Sequence, residues 1–382
     1  MKKVTRKIKD ILNQILSQGL FYLPEKYPMD SIEEVKVDLK EIRVALVKQD
    51  VYTNLYCAPT FSSFSDTIGS SLRHTGPAAF LKIFNCDYHI VKVEADLECN
   101  IWKEKITDCG QGDQDYYFRQ RLREAVYPPN MDWQQGALAK SVNDISWSDY
   151  DIIISVDLAV PERIVRRHTQ ALWCYYVSEP CMRSYKKSRE TPLAGYDIFL
   201  NQRFSPRHFS LNKLHELDFP FAFQYSGIFD DFRENITEPV GIFIEAHSAS
   251  ILSDADHKLL EQFGPISTTS TATASILRAL LNSRYFVRLG GRRLWGNSMV
   301  EAVACGTLAL GNPGEYKNRS LYCSGSRIRT FDDCMRLIDF YETHSNRRHS
   351  VLADQTQRLN HFCFYKPLAS LLSSYQNKNI AK

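Results

Sequence analysis

Residues 285–313 read Tyr285-Phe-Val-Arg-Leu-Gly-Gly-Arg-Arg-Leu-Trp-Gly-Asn-Ser-Met-Val-Glu-Ala-Val-Ala-Cys-Gly-Thr-Leu-Ala-Leu-Gly-Asn-Pro313. The start, Tyr285–Leu289, has the apolar and β-branched content of a short strand. Glycines and arginines punctuate it. Ser298–Cys305 then carries a short helix, Gly306 stops it, and Thr307–Leu310 is a second apolar strand. A strand, a glycine turn, a helix and a strand in that order belong to an α/β fold with a parallel sheet.

The same stretch carries chemistry. Gly290, Gly291 and Gly296 allow the backbone to approach a ligand closely. A helix beginning at Asn297-Ser298-Met299 presents unpaired N–H groups and the positive end of its dipole, which suits a phosphate oxygen. Arg288, Arg292 and Arg293 stand beside it, and a guanidinium grips phosphate through paired hydrogen bonds. Glu301 lies one turn into the helix, where a carboxylate can accept from ribose hydroxyls. A purely structural account fits the same residues. Ser298-Met-Val-Glu301 is a capping-box pattern, Arg292 and Arg293 can be solvated loop charges, and Gly306 can be an ordinary C-terminal stop.

The alternation extends over the chain. Val44–Val47, His89–Val93, Asp151–Val156, Leu172–Val177 and Asp197–Leu200 read as short apolar strands. Asp151–Val156 is continuous enough to be buried on both faces. A helix is expected over Pro161–Gln170. Residues 201–238 hold aromatics and prolines without clear periodicity, which places a boundary near Glu238-Pro239. A second sheet starts at Val240–Ile244. The polar run Ser267–Ser275 leads into a helix at about Ile276–Asn282, and residues 331–375 read as helical. The chain therefore divides into a lead-in over 1–40, one lobe over 41–237, a second over 238–365, and a C-terminal helix over 366–382 that returns to the first lobe. The expected fold is α/β, with two Rossmann-like lobes facing each other across a cleft, where ligands gather beyond the carboxyl ends of the strands.

The run at 285–313 resembles the donor-binding segment of retaining GT-B glycosyltransferases, in particular glycosyltransferase family 4. Gly296, Asn297-Ser298, Glu301-Ala302 and Cys305-Gly306-Thr-Leu-Ala-Leu-Gly311 carry the likeness. The resemblance implies a hexosyltransferase-type activity. The second lobe would hold the diphosphate of a UDP- or GDP-linked sugar through Arg288, Gly291, Arg292, Gly296, Asn297, Ser298 and Met299, with Glu301 on the ribose. The first lobe would present a glycan or lipid-linked acceptor, as in polysaccharide biosynthesis. It also implies no required metal and no cofactor beyond the donor substrate. The chain departs from the family twice. Arg293 stands where the family has a Glu eight residues before the ribose Glu. Glu245-Ala-His-Ser248 replaces the Arg and Lys that follow the first strand of the lobe.

Four residues are expected at the chemistry. Arg293 meets charge on the leaving diphosphate. His247 stands where donor phosphate or sugar is expected. Asp157 and Glu179 sit just past strands of the first lobe, placed to orient an acceptor hydroxyl or act as base; Asp50 is a weaker candidate of the same kind. Each also has a bland account, such as Asp157 standing near the start of the next helix.

Composition narrows the class. A net charge of +3 over 382 residues leaves no electrostatic footprint for nucleic acid. The ten cysteines form no CxxC pair and no zinc-type spacing, so thiols reduced in a cytoplasmic compartment are expected. No apolar run is long enough to span a membrane. Residues 3–18 carry Val4, Ile8, Ile11, Leu12, Ile15 and Leu16 at helical spacing opposite Lys3, Arg6, Lys7 and Lys9. That pattern suits either a helix packed on its own domain or peripheral contact with the inner membrane face. Two rival functions stay open: a catalytically inactive GT-B-like binding protein, and another nucleotide-sugar enzyme such as an epimerase or phosphorylase.

Overall fold

The computed structural model describes residues 38–49, 78–91, 142–156, 159–176, 193–201, 214–220, 222–230, 233, 238–268, 273–290, 297–312 and 321–380. These group into two compact units. Of the described residues, one unit holds those from Gln224 to Phe362, and the other holds those up to Phe223 together with those from Cys363 onward. The amphipathic stretch 3–18 lies outside the described residues.

The unit ending at Phe223 is built on strands β1 (Arg43–Gln49), β2 (Asn85–Val91), β3 (Ile152–Val156), β4 (Leu172–Tyr176), β5 (Ile198–Asn201) and β6 (His215–Asp218), with short helices α1 (Ala78–Ile83) and α2 (Glu162–Val165) between them. All pairings are parallel, in the order β2-β1-β3-β4-β5-β6. The central strands β3, β4 and β5 are buried along their whole length. That burial explains their unbroken apolar runs, because both faces of an α/β sheet are covered.

One face packs Trp147, Trp173, Tyr175, Tyr196 and Phe199 into an aromatic core. Their polar atoms are satisfied inside it. The Trp147 indole donates to Val142 O at 2.9 Å, and Tyr196 Oη accepts from Val160 N at 2.9 Å. Each of two aspartates preceding a strand stitches the start of the neighbouring strand. Asp151 accepts from Arg43 N at 2.9 Å, and Asp197 accepts from Trp173 N at 2.8 Å.

The second unit contains β7 (Gly241–Ile244), α3 (Ala246–Ala249), α4 (Asp254–Leu260), β8 (Ile266–Thr268), α5 (Thr273–Leu281), β9 (Ser283–Arg288), α6 (Asn297–Ala304), β10 (Leu308–Gly311), α7 (Phe331–Thr343) and α8 (Ser345–Leu359). Its sheet is also parallel, ordered β10-β9-β7-β8. Ile242, Ile244, Tyr285, Val287, Leu308 and Leu310 pack on one face against Leu337, Ile338, Tyr341 and Val351 from α7 and α8. A π-helical turn, Asn360–Tyr365, carries the chain out of this unit into α9 (Lys366–Ile380).

Three local expectations are corrected. The helix expected over Pro161–Gln170 is one turn, Glu162–Val165. It stops because the His168 carbonyl takes the Trp173 indole at 2.9 Å and Ala171 N at 3.2 Å, closing a turn instead of another helical step. The stretch 201–238 contains strand β6. The polar run Ser267–Ser275 begins inside β8, and its helix starts at Thr273, before Ile276.

Candidate functional site

In the 224–362 sheet, β8 lies on one side of β7, while β9 and β10 lie on the other. The strand order therefore reverses between β7 and β9. In open α/β sheets the ligand crevice forms outside the carboxyl ends of the two strands that flank such a reversal. Here those ends are Ile244 and Arg288. The other sheet repeats the topology, with its reversal between β1 and β3; Asp157 follows the last residue of β3 and lies outside the described residues.

The register of β7 and β9 decides which side chains meet at the reversal. Phe243 pairs with Phe286 and Ile244 with Val287. The ladder continues one step, with Glu245 N donating to Val287 O at 3.1 Å. Side chains alternate faces along a strand. Tyr285 and Val287 therefore join the α7/α8 core, while Phe286 and Arg288 point to the opposite face. On that face Phe243 stacks on Phe286 with ring centroids 5.8 Å apart. The next pair of positions is charged. Arg288 Nε stands 4.0 Å from Glu245 Oε2, with the Arg288 side chain 2% exposed and the Glu245 side chain 14% exposed.

Around this pair the backbone is held firmly. Leu289 N donates to Ser248 Oγ at 2.8 Å, which ties the end of β9 to the helix following β7. Ser248 is fully buried. Gly290 then turns the chain with φ 69°, a left-handed conformation that favours glycine.

Helix α6 is fixed at its far end. Gly306 N donates to Val303 O and Thr307 N to Ala302 O, with Gly306 at φ 81°. This pairing is a Schellman stop. Gly227 N donates to Ala304 O at 2.9 Å, and Arg233 Nη2 reaches Cys305 O at 3.5 Å, placing a cation at the negative end of the helix dipole. Because β9 and β10 are parallel, α6 runs back from the carboxyl edge to the amino edge. Its opening N–H groups therefore stand at the same edge as Arg288. Burial pushes the Cys305 thiol well above its ordinary range, with the carboxylates of Glu301 and Asp230 adding to the rise. This thiol is accordingly unreactive.

Among the expected site residues, Arg288 ends β9, and Asn297, Ser298, Met299 and Glu301 all belong to α6. Met299 is fully buried, while Ser298 and Glu301 are half-buried. His247 falls within α3, with its side chain outside the described set. Gly291, Arg292, Arg293, Gly296, Asp157 and Glu179 lie outside the described residues. Glu245 and Ser248 were absent from the expected set. The signal for Glu245 was its position immediately after an apolar strand; its partner depends on sheet order, which the linear sequence does not display.

Among the described residues, no three His, Cys, Asp or Glu side chains converge as a metal site. No described helix is long and apolar enough to cross a membrane. The six described cysteines, Cys86, Cys174, Cys305, Cys323, Cys334 and Cys363, are unpaired and buried.

No protein-family model and no curated protein sequence matches the chain. Solved structures similar to it include Anabaena HepE in complex with UDP and glucose, at 8% identity and TM-score 0.43, covering 87% of this chain and 100% of that one. T4 phage BGT in complex with UDP and Mn2+ is 10% identical with TM-score 0.41, covering 88% and 99%. The pneumococcal O-GlcNAc transferase GtfA in complex with UDP and GlcNAc is 12% identical with TM-score 0.36; the match covers 59% of this chain and about half, 56%, of GtfA. At such identities and scores the likeness assigns no chemistry to this chain.

Proposed function

We propose that the protein is a GT-B-type glycosyltransferase that moves a sugar from a UDP- or GDP-linked donor to a glycan or lipid-linked acceptor, with retention at the anomeric carbon. The observation that carries this reading is the buried guanidinium of Arg288 at the strand-order reversal of the 224–362 sheet. A cation at that point, on the edge where α6 begins, is suited to an anionic group entering from the carboxyl side. A diphosphate leaving group gathers negative charge as its bond to the sugar breaks. Fixed donors aimed at that charge lower the barrier.

In this reading Arg288, the α6 N–H groups at Asn297–Met299 and the loop bearing Gly291, Arg292 and Gly296 hold the diphosphate. Glu301 accepts from the ribose. Arg293 and His247 serve the donor side of the reaction, and Asp157 and Glu179 the acceptor side. The assigned location is the cytoplasm, with residues 3–18 resting on the inner membrane face.

The test is a thermal-shift screen against UDP- and GDP-sugars, followed by donor turnover in Arg288→Gln and Glu301→Ala variants. A ligand at about 100 times its dissociation constant adds roughly 2.7 kcal/mol of stability. The expected result is a stabilising donor in the wild type and at least about tenfold slower nucleotide release in both folded variants, equivalent to about 1.4 kcal/mol in the barrier. Unchanged release in both overturns the site.

A further inference from the structure

On the face of β7 and β9 opposite the α7/α8 core, the column of side chains changes character at its last step. Phe243 against Phe286 is an apolar rung, and Glu245 against Arg288 is an ionic one. The ionic rung is asymmetric. Arg288 is the buried member at 2% exposure, and Glu245 is the member nearer water at 14%. Their 4.0 Å separation is attractive but exceeds hydrogen-bond length. A guanidinium matched to a planar acceptor makes two parallel short bonds, and at this Nε–Oε2 separation Glu245 does not provide that match.

We propose that Glu245 is a displaceable counter-ion for Arg288, a positioning residue that neutralises the guanidinium in the empty site and yields it to a diphosphate oxygen. This deepens the donor-site reading above and rests on it. A buried cation calls for compensating charge nearby, and Glu245 supplies a carboxylate beside Arg288. A diphosphate carries more charge than one carboxylate and presents oxygens to the guanidinium fork, so it wins the competition. Once the sugar has gone, the carboxylate competes again for Arg288 and hastens departure of the nucleoside diphosphate. Product release often limits turnover in enzymes that enclose their substrates. Glu245 therefore holds product affinity below what Arg288 alone sets.

The experiment is calorimetric titration of uridine diphosphate and inorganic pyrophosphate into the full chain as wild type, Glu245→Gln, Arg288→Gln and the double variant, with stopped-flow dissociation rates. Glu245→Gln keeps the shape and removes the competing charge. It is expected to bind both probes roughly tenfold more tightly, a change of about 1.4 kcal/mol, with a correspondingly slower off-rate. Arg288→Gln is expected to weaken binding. The double variant is expected to bind as Arg288→Gln does, because Glu245 acts through the arginine; such non-additivity marks coupled residues. Should Glu245→Gln fail to fold, Glu245→Asp draws the carboxylate back by one methylene and is expected to give a smaller tightening. If the wild type binds a diphosphate and neither folded Glu245 variant binds it more tightly, the counter-ion role is overturned and the site stands. If the wild type binds neither probe, both readings fall.

Discussion

Tyr322 occupies the space that a side chain at Gly311 would take. A β-carbon on Gly311 would stand 2.3 Å from Tyr322 Oη and 2.9 Å from its Cζ. Gly311 closes β10, and its carbonyl accepts from Ile328 N at 3.0 Å, so the backbone there is held on both sides. Tyr322 is fully buried. Gly311→Ala is expected to cost about 1–3 kcal/mol through overpacking. Adding Tyr322→Phe removes the nearest atom and is expected to restore part of the loss, leaving the 2.9 Å contact. Urea denaturation of the single and double variants checks both statements; a Gly311→Ala chain as stable as wild type contradicts them.

A second prediction concerns a buried ion pair in α8. Arg358 Nε lies 3.0 Å from Asp354 Oδ2, with the side chains 4% and 1% exposed. Removing one member of such a pair leaves an uncompensated buried charge and is strongly destabilising, by about 3–5 kcal/mol. Replacing both by apolar residues of similar volume is often close to neutral. Asp354→Leu should therefore be much less stable than wild type, and Asp354→Leu/Arg358→Leu should recover most of the difference. Equal melting temperatures for the single and double variants would show that the arginine charge left behind is not what destabilises Asp354→Leu.

What the sequence made legible follows burial. The central strands Ile152–Val156 and Leu172–Tyr176, and β9 from Tyr285 onward, lie between neighbours on both sides and were readable as apolar runs. The strands that escaped or shifted are at the sheet edges. His215-Glu-Leu-Asp218 ends one sheet and is largely exposed or half-buried, and Ile266-Ser-Thr268 ends the other. An edge strand pairs on one side only and tolerates polar side chains. Strand β2, also an edge, begins at Asn85 with Asn-Cys-Asp, so only its end at His89–Val91 was visible. The candidate site behaves likewise. Arg288 was visible as a charge ending an apolar strand. Its pairing with Glu245 depends on β7 and β9 being neighbours, and α3, α4, β8 and α5 all lie between the two residues in the chain.

Acid sensitivity should centre on Glu342. Burial pushes its carboxyl up, but hydrogen bonds from Tyr285 and Arg284 and the charges of Arg284 and Arg348 outweigh that and hold it below the ordinary glutamate range. Tyr285 Oη donates to Glu342 Oε1 at 2.6 Å, while Arg348 Nη1 stands 3.7 Å from the same oxygen. A depressed carboxyl stabilises the fold fully above the unfolded-state glutamate pKa, about 4.3, and loses that contribution as pH falls through the lower folded value. The wild type should lose melting temperature steeply below about pH 4.3, and Glu342→Gln should lose less over the same window. Parallel acid limbs for the two chains would assign the sensitivity elsewhere.

The last prediction separates two roles of Asp197. Its Oδ2 accepts from Trp173 N at 2.8 Å at the head of β4, and the same oxygen pairs with Lys378 Nζ on α9. The first bond satisfies a backbone donor in the sheet, and the second fastens the C-terminal helix. The lysine and aspartate side chains are 20% and 32% exposed, so solvent still screens the ion pair. Lys378→Ala should therefore cost no more than about 1 kcal/mol. Asp197→Ala also leaves Trp173 N without its acceptor and should cost about 1–3 kcal/mol, the range for an unsatisfied polar group. High salt should narrow the gap between wild type and Lys378→Ala and barely change the gap between Lys378→Ala and Asp197→Ala, because screening acts on the ion pair and leaves the backbone bond alone. Chemical denaturation with urea at low and high sodium chloride reads both differences. A larger loss from Lys378→Ala than from Asp197→Ala would mean that the helix contact, and not the strand bond, dominates at this aspartate.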